Sequence, residues 1–252
     1  MILRLRYVSQ LSIIILSILL TSCLVNDADS PEPEDIFVKY YGGEGTESIV
    51  ELGYLSASDE YLIFGNSSSN DTFGEGLNDF FLVKTSADGS VADVRFPDFS
   101  EGRDSANETA SSMKVAIDQI QLVGTTEVRL NDLGVFGNKM TFYLLYDFAF
   151  NEISRGVISM PGQDVEGNDI VATSDGNYVI LSTVGDALSG QRNIMYTKIT
   201  PGGDIVWQRS NNLPGDDVGV SIIELTNGNL AICARTERTS VNGYRGVNVL
   251  YL

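Results

Sequence analysis

The sequence contains no histidine. That removes the commonest general base and the commonest zinc ligand, and with them any Ser-His-Asp triad. Cysteine is nearly absent as well: Cys23 and Cys233 are the only two in 252 residues. Proline is scarce, with 6 residues against 25 glycines, a balance that points to many tight turns. Positive charge is scarce: 16 Lys and Arg face 34 Asp and Glu, for a formal net charge of −18. The first 22 residues hold Arg4 and Arg6 and no acid, so everything after them carries −20. A surface this acidic repels phosphate backbones, which argues against nucleic acid as a partner. It keeps the chain soluble and attracts cations or basic partners.

Long apolar runs are limited to one, Leu11 to Leu20, and it stands between Arg4/Arg6 and the small residues Thr21 and Ser22. A positive end, an apolar middle and a small-residue end are the three parts of an export signal. The run is shorter than the roughly 20 residues a membrane span needs. The four residues Leu20-Thr21-Ser22-Cys23 resemble the lipobox of bacterial lipoproteins. That resemblance implies cleavage after residue 22 and diacylation of Cys23, which would make the membrane a partner through this one residue. The alternative is an ordinary secretory signal with an incidental cysteine. Residues 23–35 follow as an expected disordered tether: Asp27, Asp29, Glu32, Glu34 and Asp35 lie among Ser30, Pro31 and Pro33, a stretch unable to bury apolar surface. Acids so close behind the cysteine are similar to surface-export signals of Bacteroidetes lipoproteins. The implied location is the outer membrane, on its periplasmic or outer face. With Cys23 acylated no intramolecular disulfide is available, and Cys233, in the apolar stretch Leu-Ala-Ile-Cys-Ala, is expected to be a small buried hydrophobe.

Past residue 36 the chain repeats itself. Residues 170–183 and 222–235 both read as strand, Asp-Gly or Asn-Gly turn, strand, with Gly176 and Gly228 at matching places. Residues 79–96 and 193–210 form a second pair, in which Lys84 matches Lys198. Merging the pairs gives a unit of four strands. The first copy is expected near 48–54, 60–66, 79–85 and 90–96. A degenerate second lies near 110–116, 119–126, 140–146 and 152–158, with Tyr146 in the place of Lys84. The third is expected near 168–173, 177–183, 193–199 and 204–210, and a three-stranded fourth near 220–225, 229–235 and 246–252. Units of this size and pattern predict an all-β fold, a β-propeller of about four four-stranded blades over residues 36–252. A two-sheet sandwich has as many short strands but no reason to repeat a turn at near-constant spacing. Two arrangements satisfy the count. In one the ring is closed, with residues 36–41 as the missing strand of the last blade; in the other the chain is a fragment of a larger ring.

The stretches "KYYGGEGTESI", "YLIFGNS" and "NDFFLVKTSADGSV" resemble the repeats of Bacteroidetes β-propeller lipoproteins. The third unit has Asp175-Gly176-Asn177-Tyr178, the Gly-Gly pair is clear only at Gly42-Gly43, and the second unit departs most. The resemblance implies fold and envelope location, not an activity.

Chemistry is thin. Gly42, Gly43 and Gly45 lack the Lys and Ser/Thr of a phosphate-binding loop. Residues 86–90 and 173–177 faintly resemble sialidase Asp-boxes without their closing aromatic, and turn chemistry explains them. Trp207 is the single tryptophan, which excludes the recurrent Trp docking of quinoprotein propellers. The blade-to-blade links carry acids at corresponding places: Glu44 and Glu47, Asp104 and Glu108, Asp164 and Glu166, Asp216 and Asp217. They predict an acidic rim on one face, joined there by the longer links between second and third strands. Such a rim can bind a cation such as Ca²⁺ or a basic partner, or can simply be solvated. No catalytic residue and no obligate cofactor are assigned. The expected function is a non-enzymatic binding or scaffold module for a glycan or another envelope protein, with a carbohydrate-active hydrolase on the same ring as the alternative.

Overall fold

The central strands of each repeat are apolar at nearly every position, as in Asp79-Phe-Phe-Leu-Val-Lys-Thr85 and Met140-Thr-Phe-Tyr-Leu-Leu-Tyr-Asp147, and they are buried on both faces. A sheet covered on both faces must be stacked between others. The computed structural model describes residues 38–71, 74–75, 78–99, 106–116, 118–128, 137–186, 191–211, 215–236 and 246–251. The expected signal sequence and tether, with Cys23, and the rim residue Asp104 lie outside the described residues.

The first sheet runs β1 (Glu47–Leu55), β2 (Glu60–Ser67), β5 (Asp79–Thr85), β6 (Val91–Arg95), with a small hairpin of β3 (Asn70–Asp71) and β4 (Gly74–Glu75) in the link after β2. The second contains β7 (Ala106–Val115), β8 (Gln119–Val128), β9 (Met140–Asp147) and β10 (Glu152–Ile158). The third contains β11 (Gln163–Ala172), β12 (Tyr178–Asp186), β13 (Arg192–Ile199) and β14 (Ile205–Asn211). The fourth has three described strands, β15 (Asp217–Glu224), β16 (Leu230–Thr236) and β17 (Gly246–Tyr251). All neighbours are antiparallel and follow chain order. These are propeller blades, and they stand where the repeats predict them.

The expected Gly turns are present. Gly89, Gly176, Gly203 and Gly228 take positive φ, and each N–H donates back to the residue three before it. In the turns at Asp88, Asp175 and Asn227 the side chain accepts the N–H two residues on. The degenerate second unit lacks such a glycine between β9 and β10, and the left-handed place falls to Phe150 at φ 62°. A bulky residue is costly there. Phe150 offsets that cost by burying its ring in the core, with the Lys84 ammonium 4.7 Å from the ring centroid.

One irregularity repeats in every blade. The first strand is bulged against the second between Ile49 and Glu51, Ala110 and Ser112, Gly167 and Asp169, and Gly219 and Ser221. This places Glu51, Ser112, Asp169 and Ser221 at one equivalent position. It also makes Asn66, Thr125, Thr183 and Arg235 equivalent in the second strands. By the same register Leu145, not Tyr146, is the counterpart of Lys84. A buried leucine there keeps the site packed where a lysine would need a partner.

The first strands pack side by side, β1 on β7, β7 on β11 and β11 on β15. Three apolar cores fill the junctions. The first is aromatic, with Phe142 stacked on Phe80 at 4.5 Å and on Phe99 at 4.8 Å. The second centres on Val165, Ile170, Ile180 and Tyr143, and the third on Leu181, Tyr196, Ile222 and Ile232. Among the described residues the fourth sheet makes no comparable packing with the first. The closing strand expected at residues 36–41 is not formed over 38–41, which are irregular. Tyr41 instead lies against Ile63, Phe81 and Val83 on the outward face of the first sheet, and its hydroxyl donates to the Gly89 carbonyl at 2.7 Å. Tyr143 of the second blade donates in the same way to Gly203 of the third. Tyr41 thus fills the place of a preceding blade's tyrosine. Cys233 is half-buried rather than buried. Its counterparts Phe64, Val123 and Leu181 are covered by the next blade, and among the described residues no sheet covers Cys233 in that way.

Candidate functional site

At the junction of the second and third blades the innermost strands part around a polar cleft of about 280 Å³. Asn107, Thr109 and Ser111 face it from alternate positions of β7, as the two-residue period of a strand requires. Thr125 and Glu127 come from β8, Lys139 from the segment entering β9, and Glu166, Gly167 and Asn168 from β11. Ser111 occupies the bulge position that Val50 fills with a branched apolar side chain in the first blade. The shorter serine leaves room.

The walls are held by bonds across the junction. Gly167 N–H donates to Thr125 Oγ1 at 3.0 Å. Lys139 is clamped at three points: its N–H donates to Asp164, its carbonyl accepts from Val165 N–H, and its ammonium donates to Glu166 at 2.5 Å. The Glu166 carboxylate holds the Lys139 ammonium above the ordinary lysine range. One lysine against Glu127 and Glu166 leaves the cleft mildly negative. Its remaining surface is hydroxyl and amide, groups that donate and accept without a fixed charge.

The described acids of the predicted rim lie at or just before the leading ends of the first strands, and they are already engaged or buried. Glu47 accepts from Gly43 N–H, Ser67 Oγ and Ser69 Oγ. Glu108 is buried and accepts from Phe99 N–H at 2.6 Å. Asp164 and Glu166 hold Lys139. Asp216 receives the Arg192 guanidinium as a fork and the Arg192 N–H, which keeps its carboxyl below the usual range. Asp217 is fully buried. Glu44 is exposed. Among the described residues no three carboxylates converge in a way that would seat a metal ion.

Two constellations are not evident from the sequence. The first is a stitch repeated at every junction: Ala110, Gly167 and Gly219 each donate their N–H to the preceding blade, to Asn66, Thr125 and Thr183 respectively, at 2.6–3.1 Å. The second is Asp169, 2% exposed, which accepts from Ser112 Oγ, Ser221 Oγ and Ile222 N–H at 2.8–2.9 Å while Lys114 lies 3.4 Å away. It ties the second, third and fourth blades at one carboxylate. The cleft did leave a trace: short polar residues at 107, 109 and 111 on one face of a strand otherwise built to pack.

No family model matches the chain, and no curated protein matches it. Among solved structures, a Bacteroides caccae protein of unknown function aligns with a TM-score of 0.45 at 14% identity, over 83% of this chain and 63% of that one. An endo-arabinase from Bacteroides thetaiotaomicron aligns with a TM-score of 0.42 at 12% identity, over 81% of this chain and 72% of that one. This chain therefore spans less than two thirds of the length of the first of these structures. Identities this low carry neither ligand nor reaction to this chain.

Proposed function

We propose that this is a lipid-anchored envelope protein whose propeller binds a neutral, hydroxyl-rich ligand, a glycan unit, between its second and third blades. The cleft carries the reading. Its volume of about 280 Å³ falls just below the roughly 300–1,000 Å³ of pockets that enclose a drug-sized ligand, and suits one sugar residue of a longer chain. Its hydroxyl and amide lining matches a ligand that is itself a dense array of donors and acceptors. Its mild negative charge, on a chain of net charge −18, disfavours anions. The anchor rests on the lipobox-like Leu20-Thr21-Ser22-Cys23.

The test is retention on an array of neutral glycans followed by titration calorimetry with the best of them. Binding is expected to be lost in Ser111→Tyr, which fills the cleft and leaves Lys139 and Glu166 in place. Absence of any retained glycan, or affinity unchanged in Ser111→Tyr, overturns the reading. A hydrolase is the second reading, favoured by the two carboxylates Glu127 and Glu166 lining one cleft. Release of reducing ends, abolished by Glu127→Gln, would establish it.

A further inference from the structure

We propose that Asn107 and Glu127 choose the ligand of the cleft by gripping two hydroxyls on neighbouring carbons of one sugar, an inference that rests on the glycan reading. The polar groups around the cleft are spent unevenly. Thr125 Oγ1 accepts from Gly167 N–H, Glu166 holds the Lys139 ammonium, and Asn168 Oδ1 accepts from Thr183 Oγ1 at 2.7 Å. Asn107, Thr109, Ser111 and Glu127 line the same cleft, and their side chains make no hydrogen bond or ion pair with a described residue. Asn107 and Glu127 stand directly opposite each other in the register of β7 and β8. Such a pair has its Cβ atoms about 4.5–5.5 Å apart on one face of the sheet. Both residues are half-buried, so their polar groups are partly withdrawn from water without a protein partner in exchange.

The chemistry of the pair specifies what it takes. An ionised Glu127 only accepts, and the Asn107 amide beside it brings two N–H donors. A hydroxyl satisfies both at once: its proton goes to the carboxylate and its oxygen accepts from the amide. The second carboxylate oxygen is then placed for the hydroxyl on the next carbon. Lys139 does not fill this role, because its ammonium donates to Glu166 and meets Glu127 only as a charge at a distance. An anionic ligand would face Glu127 and Glu166, and a cationic one would face Lys139. The equivalent pairs of the neighbouring blades are closed. In the first blade they are Thr46 and Ser68, and Thr46 N–H donates to Ser68 Oγ at 3.0 Å. In the third they are Asp164 and Gly185, where Asp164 accepts from Lys139 N–H and Gly185 has no side chain to offer.

The test is titration calorimetry on the full chain in detergent. The probes are the methyl glycosides of glucose, galactose, mannose and xylose, each beside its single-deoxy forms. The unaltered chain is expected to bind at least one glycoside and to lose about tenfold or more in affinity when either of two adjacent hydroxyls is removed. Glu127→Gln keeps the shape of the side chain and turns one acceptor into a donor. It is expected to weaken the complete glycoside by a similar factor and to bind the deoxy forms no worse than the complete one, because the two losses share one contact. Should Glu127→Gln fail to fold by thermal unfolding, Asn107→Ala takes its place, with the deoxy penalty expected to vanish at one hydroxyl. Unchanged affinity in Glu127→Gln while Ser111→Tyr abolishes binding overturns the grip and leaves the glycan reading standing. A deoxy penalty that survives undiminished in the variant does the same. If the unaltered chain binds none of the glycosides, the grip and the glycan reading fall together.

Discussion

At the scale of single residues, the glycines divide into two kinds with different costs. Gly176 has φ +81° and open space around it, so an added methyl meets only the backbone's reluctance to turn left-handed. Gly176→Ala is expected to lower stability by about 1–2 kcal/mol. Gly124 has no such φ, but a Cβ there would sit 2.1 Å from the Thr109 carbonyl oxygen and 2.5 Å from the Phe142 ring. Gly124→Ala is expected to cost roughly 3 kcal/mol, because backbone on one side and a packed ring on the other leave nothing to yield. Denaturant unfolding of both variants checks the order, and equal losses would contradict it. The first kind was legible in the sequence, since Asp-Gly and Asn-Gly between apolar runs announce a turn. The second was not, because the oxygen and the ring come from other strands.

At the scale of elements, strand positions were legible to within a few residues because two periodicities coincide: apolar central strands and glycines at a fixed spacing. The first strands of the later blades begin earlier than expected. Their bulges break the alternation of buried and exposed residues, and period-two reading slips at such a point. The run Phe142 to Tyr146 is apolar at every position and gives period-two reading nothing to hold, so it matches Tyr146 rather than Leu145 to Lys84. The cross-junction stitch was invisible for a different reason. Asn66 is an amide and Thr125 and Thr183 are hydroxyls, and what all three share is an oxygen within reach of another blade. Removing that oxygen from buried Thr183 leaves the Gly219 N–H without its acceptor. Thr183→Val is expected to destabilise the chain by about 2 kcal/mol, and Thr183→Ser, which keeps the oxygen, by less than about 1 kcal/mol. Thermal unfolding distinguishes them; identical shifts would assign the loss to packing instead.

At the scale of the whole molecule, address and architecture separate cleanly. In the proposed reading the address depends on Cys23, whereas the architecture rests on the blades past residue 46. Cys23→Ser is expected to move the protein from the membrane pellet to the soluble fraction while its unfolding temperature stays the same. Retention of the variant in the pellet would overturn the lipid anchor. The candidate cleft was the least legible feature at this scale. A small serine stands there where the first blade has a valine at the equivalent bulge, and the cleft is lined by residues such as Ser111 and Glu166 that lie far apart in the chain.

Asp169 sets how damage spreads. Repeat arrays whose units touch only their neighbours can fray one unit at a time. Here a single carboxylate gathers bonds from Ser112, Ser221 and Ile222, so three units share one fastening. Peeling the last of them away strips partners from a charge buried in the middle one, and the loss is felt by a third that was never touched. The array behaves less like a stack of coins than like an arch, where the keystone makes each stone's fall the concern of all.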